Sequence, residues 1–148
     1  MVEKLAHTGD MTEVGDFVVG FAQEKAEGFY ELTGEGEFEW REPGDDNCHI
    51  EVAVADVDNE RFVPGAEVSV RVADADGVQV EAATLPLLWH PGPYHYGATL
   101  RLPTDDTYSL EVRVEPSTFR RHDEENGDRY GETVTVTFDD VDVKTGQS

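Results

Sequence analysis

Hydrophobic residues return at every second position through much of this chain, the period that a half-buried β-strand imposes. The pattern is clearest from Cys48 to Asp56, where Ile50, Val52 and Val54 alternate with His49, Glu51 and Ala53. Val68, Val70 and Val72 alternate with Ser69 and Arg71. Tyr108, Leu110, Val112 and Val114 alternate with Ser109, Glu111 and Arg113, and Val134, Val136 and Phe138 with threonines. Asp16–Ala22, Val78–Thr84 and Tyr96–Leu102 are further predicted strands. Phe29 to Trp40 predicts a hairpin turning near Gly34 and Gly36, and Arg41 to Asn47 the loop after it. Gly, Pro and Asp separate the runs, and none sustains a helical period. Glu13–Lys25 offers at most a short helix, and Val18-Val19-Gly20 within it favours strand. About seven or eight antiparallel strands, each with one buried face, predict an all-β, immunoglobulin-like sandwich of two sheets. The expected organisation is a loosely held segment at 1–15, one sandwich domain at 16–143 and a tail at 144–148.

Charge changes this picture. The 148 residues include 33 acidic and 11 basic side chains, a net charge of -22, and the only lysines are Lys4, Lys25 and Lys144. Such a chain repels itself at low ionic strength. In molar salt the Debye length falls to about 3 Å and the repulsion is screened. Acidic excess with scarce lysine therefore reads as adaptation to high salt. Acidic disordered chains share the charge but lack the regular Val/Ile/Leu alternation. No basic stripe exists to meet phosphates, which argues against nucleic acid as a partner. Cys48 is the only cysteine, so no internal disulfide forms. No run approaches the roughly 18 apolar residues of a membrane span. Met1–Asp10 has no basic region followed by an apolar run, so no secretion signal is expected there.

The candidate chemistry lies in five histidines, His7, His49, His90, His95 and His122. On a strand, His49 and Glu51 share one face while Ile50 and Val52 point toward the core. An imidazole and a carboxylate so placed can reach one cation, or the carboxylate can orient the ring. Cys48 points away from His49 and reads as a small buried hydrophobe rather than a ligand. Trp89-His90-Pro91-Gly92-Pro93-Tyr94-His95-Tyr96-Gly97 reads as a stiff loop entering a strand, able to hold an imidazole in place. His122 stands in the charged loop Arg120-Arg121-His122-Asp123, and His7 in the polar leading segment reads as solvated. Three of these also have an ordinary reading: His49 as a polar residue on a solvated sheet face, His95 as a loop residue bonded to backbone, and His122 as a surface residue in a polar loop.

Cys48-His49-Ile50-Glu51-Val52 together with Gly92-Pro93-Tyr94-His95-Tyr96-Gly97-Ala98 resembles the Fe2+ transport protein family. Its members are periplasmic or lipid-anchored copper- and iron-binding dimers associated with iron uptake, also described as pathogen-specific membrane antigens. The order and spacing match from about Cys48 to Phe138 and only weakly over the first 47 residues. The resemblance implies an immunoglobulin-like sandwich, a homodimer and a metal site near the dimer interface. It makes His49, His95 and His122 the expected ligands, with Glu51 a further ligand or a partner to one. It also implies an extracytoplasmic or membrane-associated location and a membrane permease as recipient of the ion.

Two departures stand out. The family's methionine ligand has no counterpart, because Thr84-Leu85-Pro86-Leu87-Leu88 occupies that segment. Loss of a thioether weakens the case for copper, Cu(I) above all. Tyr94 is one residue extra between Gly92-Pro93 and His95. His90 is near enough in sequence to stand in for the methionine, or else it is a loop residue packed on Trp89 or a proline. Three imidazoles and a carboxylate suit divalent Cu, Fe, Zn or Ni, with Cu(II) favoured by the affinity order. No general acid and base pair is evident beyond Glu51, so binding rather than turnover is expected. A blue-copper centre is disfavoured because Cys48 precedes all but one histidine and points inward. The alternative is an immunoglobulin-like protein-interaction module with no metal site. In that case the histidines scatter, whereas shared ligation brings their nitrogens within roughly 4–5 Å of one another.

Overall fold

The alternating runs become strands in the computed structural model, which describes residues 9–147. In chain order they are β1 (Gly9–Val14), β2 (Phe17–Glu24), β3 (Phe29–Gly34), β4 (Glu37–Arg41), β5 (Cys48–Asp56), β6 (Glu67–Ala73), β7 (Gln79–Leu85), β8 (Leu87–Leu88), β9 (His95–Leu100), β10 (Asp106–Glu115) and β11 (Val134–Val143). One sheet runs β1-β2-β5-β9-β8, the facing sheet β11-β10-β6-β7, and β3-β4 forms a separate hairpin. Every pairing between named strands is antiparallel. There is no helix among the described residues. The chain is an all-β antiparallel sandwich.

The inward faces supply the core. Phe17, Val19, Phe21, Cys48, Ile50, Val52, Val54 and Tyr96 of the first sheet form one buried cluster with Val68, Val70, Val72, Leu110, Val112 and Val114 of the second. Phe21 and Phe138 meet across the layers with ring centroids 4.6 Å apart. Each buried aliphatic side chain contributes about 1.5–3 kcal/mol of transfer free energy, so the period-2 pattern carries most of the driving force.

Two elements carry no such pattern. Residues 9–14, inside the segment read as loosely held, form the edge strand β1, paired from Gly9↔Ala22 to Val14↔Phe17. Its middle residues are exposed on both faces, so no hydrophobic alternation marks it. β8 is a two-residue strand at the opposite edge of the same sheet. The β3–β4 hairpin forms as expected, with Gly36 at φ 71° in its turn. Its Phe29, Tyr30, Leu32, Phe38 and Trp40 all remain exposed.

A polar anchor closes one end of the sandwich. Asp56, the last residue of β5, is 3% exposed. Its carboxylate accepts from Asp58 N (2.7 Å), from Arg129 Nε (3.1 Å) and Nη2 (2.9 Å), and from the Tyr130 hydroxyl. Arg129 also reaches Asp16 (3.2 Å) and Asp58 (3.0 Å), while Tyr130 N donates to Asp16 (3.0 Å). These bonds hold Tyr130 in its left-handed conformation, φ 59°, and pin the β10–β11 loop to the start of β2 and the end of β5.

Candidate metal centre

The pleat of β5 turns Cys48, Ile50 and Val52 fully inward and leaves His49 and Glu51 on the outer face. The neighbouring strands decide what surrounds them. His49 is flanked by Glu24 of β2 and Thr99 of β9; Glu51 is flanked by Ala22 and Gly97, two of the smallest residues available. A shallow well therefore opens over Glu51. β9 places Tyr96 inside the core, and His95 and Gly97 accordingly face outward over that well.

His49 Nε2 stands 3.5 Å and His95 Nε2 3.4 Å from the same atom, Glu51 Oε1. The three donor atoms all lie within 4.8 Å of one another. His95, 4% exposed, has its Nδ1 3.4 Å from the Pro93 carbonyl oxygen. A carbonyl only accepts, so Nδ1 carries the proton and Nε2 of the neutral ring presents a lone pair. That lone pair faces a carboxylate oxygen, an arrangement that needs a cation or a proton between the two atoms.

Electrostatics favours the ligating forms. Burial alone would raise the Glu51 carboxyl. The His49 hydrogen bond and the charges of His95, His49 and His90 outweigh it, leaving Glu51 below its ordinary range. Burial is also the largest influence on His95. It outweighs Glu51 and the Pro93 carbonyl and pulls the imidazole below its usual value. Glu51 is thus ionised and His95 neutral at pH 7, the states that coordinate metal. Affinity for Cu(II) or Zn(II) is expected to be level above neutrality. It should weaken at least tenfold by about pH 5, as protons claim the imidazoles. The apo fold changes with the same sign: both depressed values mean the unfolded chain binds more protons, so stability falls as pH falls. Competition titrations at pH 7.5 and 5 check this, and equal affinities would remove the imidazoles from the site.

Gly97 sets the size of the well. A Cβ there would stand 3.1 Å from His49 Nε2, from His95 Cδ2 and from Leu88 Cδ1. Gly97→Ala is therefore expected to push the two rings apart and to cost at least about tenfold in metal affinity. The melting temperature should change little, because the backbone at 97 is ordinary strand. An unchanged isotherm would mean that the metal lies elsewhere.

The other candidate histidines are placed differently. His90 lines the same groove, its ring centroid 6.4 Å from that of His95, but its nitrogens stay outside the convergent set. Its Nδ1 accepts from Gly92 N at 3.0 Å, which assigns the proton of the neutral ring to Nε2 and leaves no lone pair for an ion. His90 is thus a loop residue whose ring is engaged by the backbone at Gly92. His122 is exposed on the β10–β11 loop and does not join the cluster within one chain. His7 lies outside the described residues. Cys48 is buried, and burial pushes its thiol up to about 11.

The well opens into a groove of about 1270 Å³, walled by Tyr30, Phe38 and Trp40 of the hairpin and by Trp89 and Pro91 of the β8–β9 loop. Glu24 and Glu27 stand at its rim. Burial and the neighbouring Glu51 charge raise the Glu24 carboxyl. The aromatic wall, Glu24 and Gly97 were not singled out as site residues in the sequence, and Leu88 figured there only as part of the segment where the family carries methionine. Only the register of strands far apart in the chain brings them together.

Comparison with known proteins gives a consistent result. The family described as Fe2+ transport protein matches residues 30–144. FetP of uropathogenic Escherichia coli superposes with a TM-score of 0.72 at 16% identity, covering 92% of this chain and 94% of that one. A copper-bound variant of Campylobacter jejuni P19, with a methionine replaced by isoleucine, gives 0.74 at 17% identity, covering 94% and 97%. Copper-reconstituted P19 gives 0.70 at 16%, covering 93% and 96%. No curated protein matches the chain in sequence.

Proposed function

The chain belongs to the Fe2+ transport protein family, and from that premise we propose that it binds one divalent transition-metal ion through His49, Glu51 and His95 and serves metal uptake. The observation that carries the reading is the pair of imidazole nitrogens aimed at one carboxylate oxygen. Two nitrogens and an oxygen suit Cu(II) first, with Fe(II) and Zn(II) also accommodated. Copper-bound P19 supports the copper assignment, and its methionine-to-isoleucine variant is copper-bound with a branched aliphatic residue in place of a thioether. An interaction module without metal would have no reason to gather these side chains.

The remaining parts of the proposal rest on likeness to the family. The protein is a binding protein rather than an enzyme, works outside the cytoplasm and passes its ion to a membrane permease. It pairs as a homodimer. The net charge of -22 fits a high-salt setting. The test is a Cu(II) and Zn(II) titration in molar KCl of the wild type beside a His49→Ala/His95→Ala variant. One saturable equivalent in the first and none in the second supports the reading; identical isotherms overturn it.

A further inference from the structure

The open side of the three-donor site is faced by an aliphatic residue. β8 pairs with β9 in the register Leu88↔His95, so Leu88 shares the outer face with the imidazoles. Its Cδ1 and His49 Nε2 each lie 3.1 Å from the point where a Gly97 Cβ would stand. The methyl and the donor nitrogen therefore border the same small volume.

None of the described residues brings sulfur to that volume. Among the described residues it occurs only in Cys48 and Met11. Cys48 is fully buried on the opposite face of β5, within the core cluster. Met11 sits on β1 opposite Gly20, and Gly20 lies opposite Ala53. Met11 is thus separated from His95 by both β2 and β5, about 14 Å at ordinary strand spacing. Among the described residues the donors in reach are two imidazoles and one carboxylate, with room for water or an incoming ligand. Cu(II) accepts that set, whereas Cu(I) favours soft sulfur and gains little from it.

Building on the proposed site, we infer that Leu88 makes it selective for the divalent state, so that bound Cu(II) is released when reduced to Cu(I). The step is a one-electron transfer from an enediol or thiol reductant to the bound ion. No covalent bond of the protein forms or breaks. The two nitrogen–copper bonds and the oxygen–copper bond dissociate, leaving neutral imidazoles and an ionised Glu51. The reductant loses the electron and its proton goes to solvent. Release at neutral pH is thereby tied to a reducing recipient.

Leu88→Met tests this directly, because Sδ of methionine takes the branch position of Leu88 Cδ1 at nearly constant volume, a kind of swap that cores tolerate. Wild type and variant are loaded with Cu(II) in molar KCl, desalted and treated anaerobically with ascorbate and the Cu(I) chelator bicinchoninate. Copper remaining on the protein is then measured after gel filtration. The variant is expected to retain at least about tenfold more copper than wild type, with similar Cu(II) loading. Equal retention overturns the inference. Direct Cu(I) and Cu(II) competition titrations on wild type alone give an independent reading: equal affinity for the two states overturns it as well. Failure of wild type to load Cu(II) more than the His49→Ala/His95→Ala chain would instead remove the underlying site, and the inference with it.

Discussion

The His49→Ala/His95→Ala chain is expected to lose its tight metal equivalent, with affinity for Cu(II) falling by more than about a hundredfold. Even outer partners of metal ligands cost 10–100-fold when removed, and here two of three direct donors go. What remains is Glu51 alone, a monodentate carboxylate little different from the rest of the 33 acidic residues. Those surface groups will collect divalent ions at low salt and blur any titration. In molar KCl the Debye length of about 3 Å suppresses that background while short coordination bonds persist. The fold should survive, because both side chains lie on the outer face and the inward residues of β5 and β9 are untouched. A second readout accompanies the binding data. Glu51 loses the hydrogen bond and the charges that hold its carboxyl down, so it should titrate higher in the variant. An NMR titration showing Glu51 unmoved would mean that the three groups do not share a site in solution.

The half of this site on β5 was legible in the sequence and the half on β9 was less so, for a physical reason. Period 2 dictates that His49 and Glu51 share a face and that Cys48 turns inward, and both hold. His95 joins them only because β9 pairs with β5 in the register Glu51↔Gly97. Alternation within one strand says nothing about register between strands more than forty residues apart. Resemblance rather than pattern supplied that link. The same limit hid Gly97 and left open which residue of the methionine segment faces the site, since both depend on what lies beside them on the next strand. His90 illustrates the converse: closeness in sequence suggested a ligand, but the turn to Gly92 engages its nitrogen. The sandwich emerged from its buried faces, while β1, exposed along its middle, left no signal.

The largest stability effect is expected at the other end of the sandwich. Arg129→Ala should destabilise the fold by about 2–4 kcal/mol, or roughly 6–12 °C in melting temperature for a domain of this size. Breaking a buried ion pair from one side costs about 3–5 kcal/mol. The lower figure applies because the Arg129 side chain is 25% exposed and water can partly replace it. Asp56 has no such recourse at 3% exposure. Burial works to raise its carboxyl, yet the Tyr130 hydroxyl, the Asp58 backbone and Arg129 together hold it below its ordinary value. A depressed carboxyl contributes stability above its unfolded value and loses it as pH falls through the folded one. Wild type should therefore lose this contribution only in acid, whereas the variant is already deficient at neutral pH, and their melting temperatures should converge as Asp56 protonates. Salt separates this effect from the surface charge. Raising KCl from 0.15 M to 3 M relieves the repulsion of a -22 chain and should lift both melting curves. The gap between them should persist, since Arg129 meets Asp56 through hydrogen bonds of 2.9 and 3.1 Å shielded from ions. If molar salt closes the gap, Arg129 acts merely as one more surface cation offsetting acidic neighbours, and the loop that carries His122 is held by something other than this anchor.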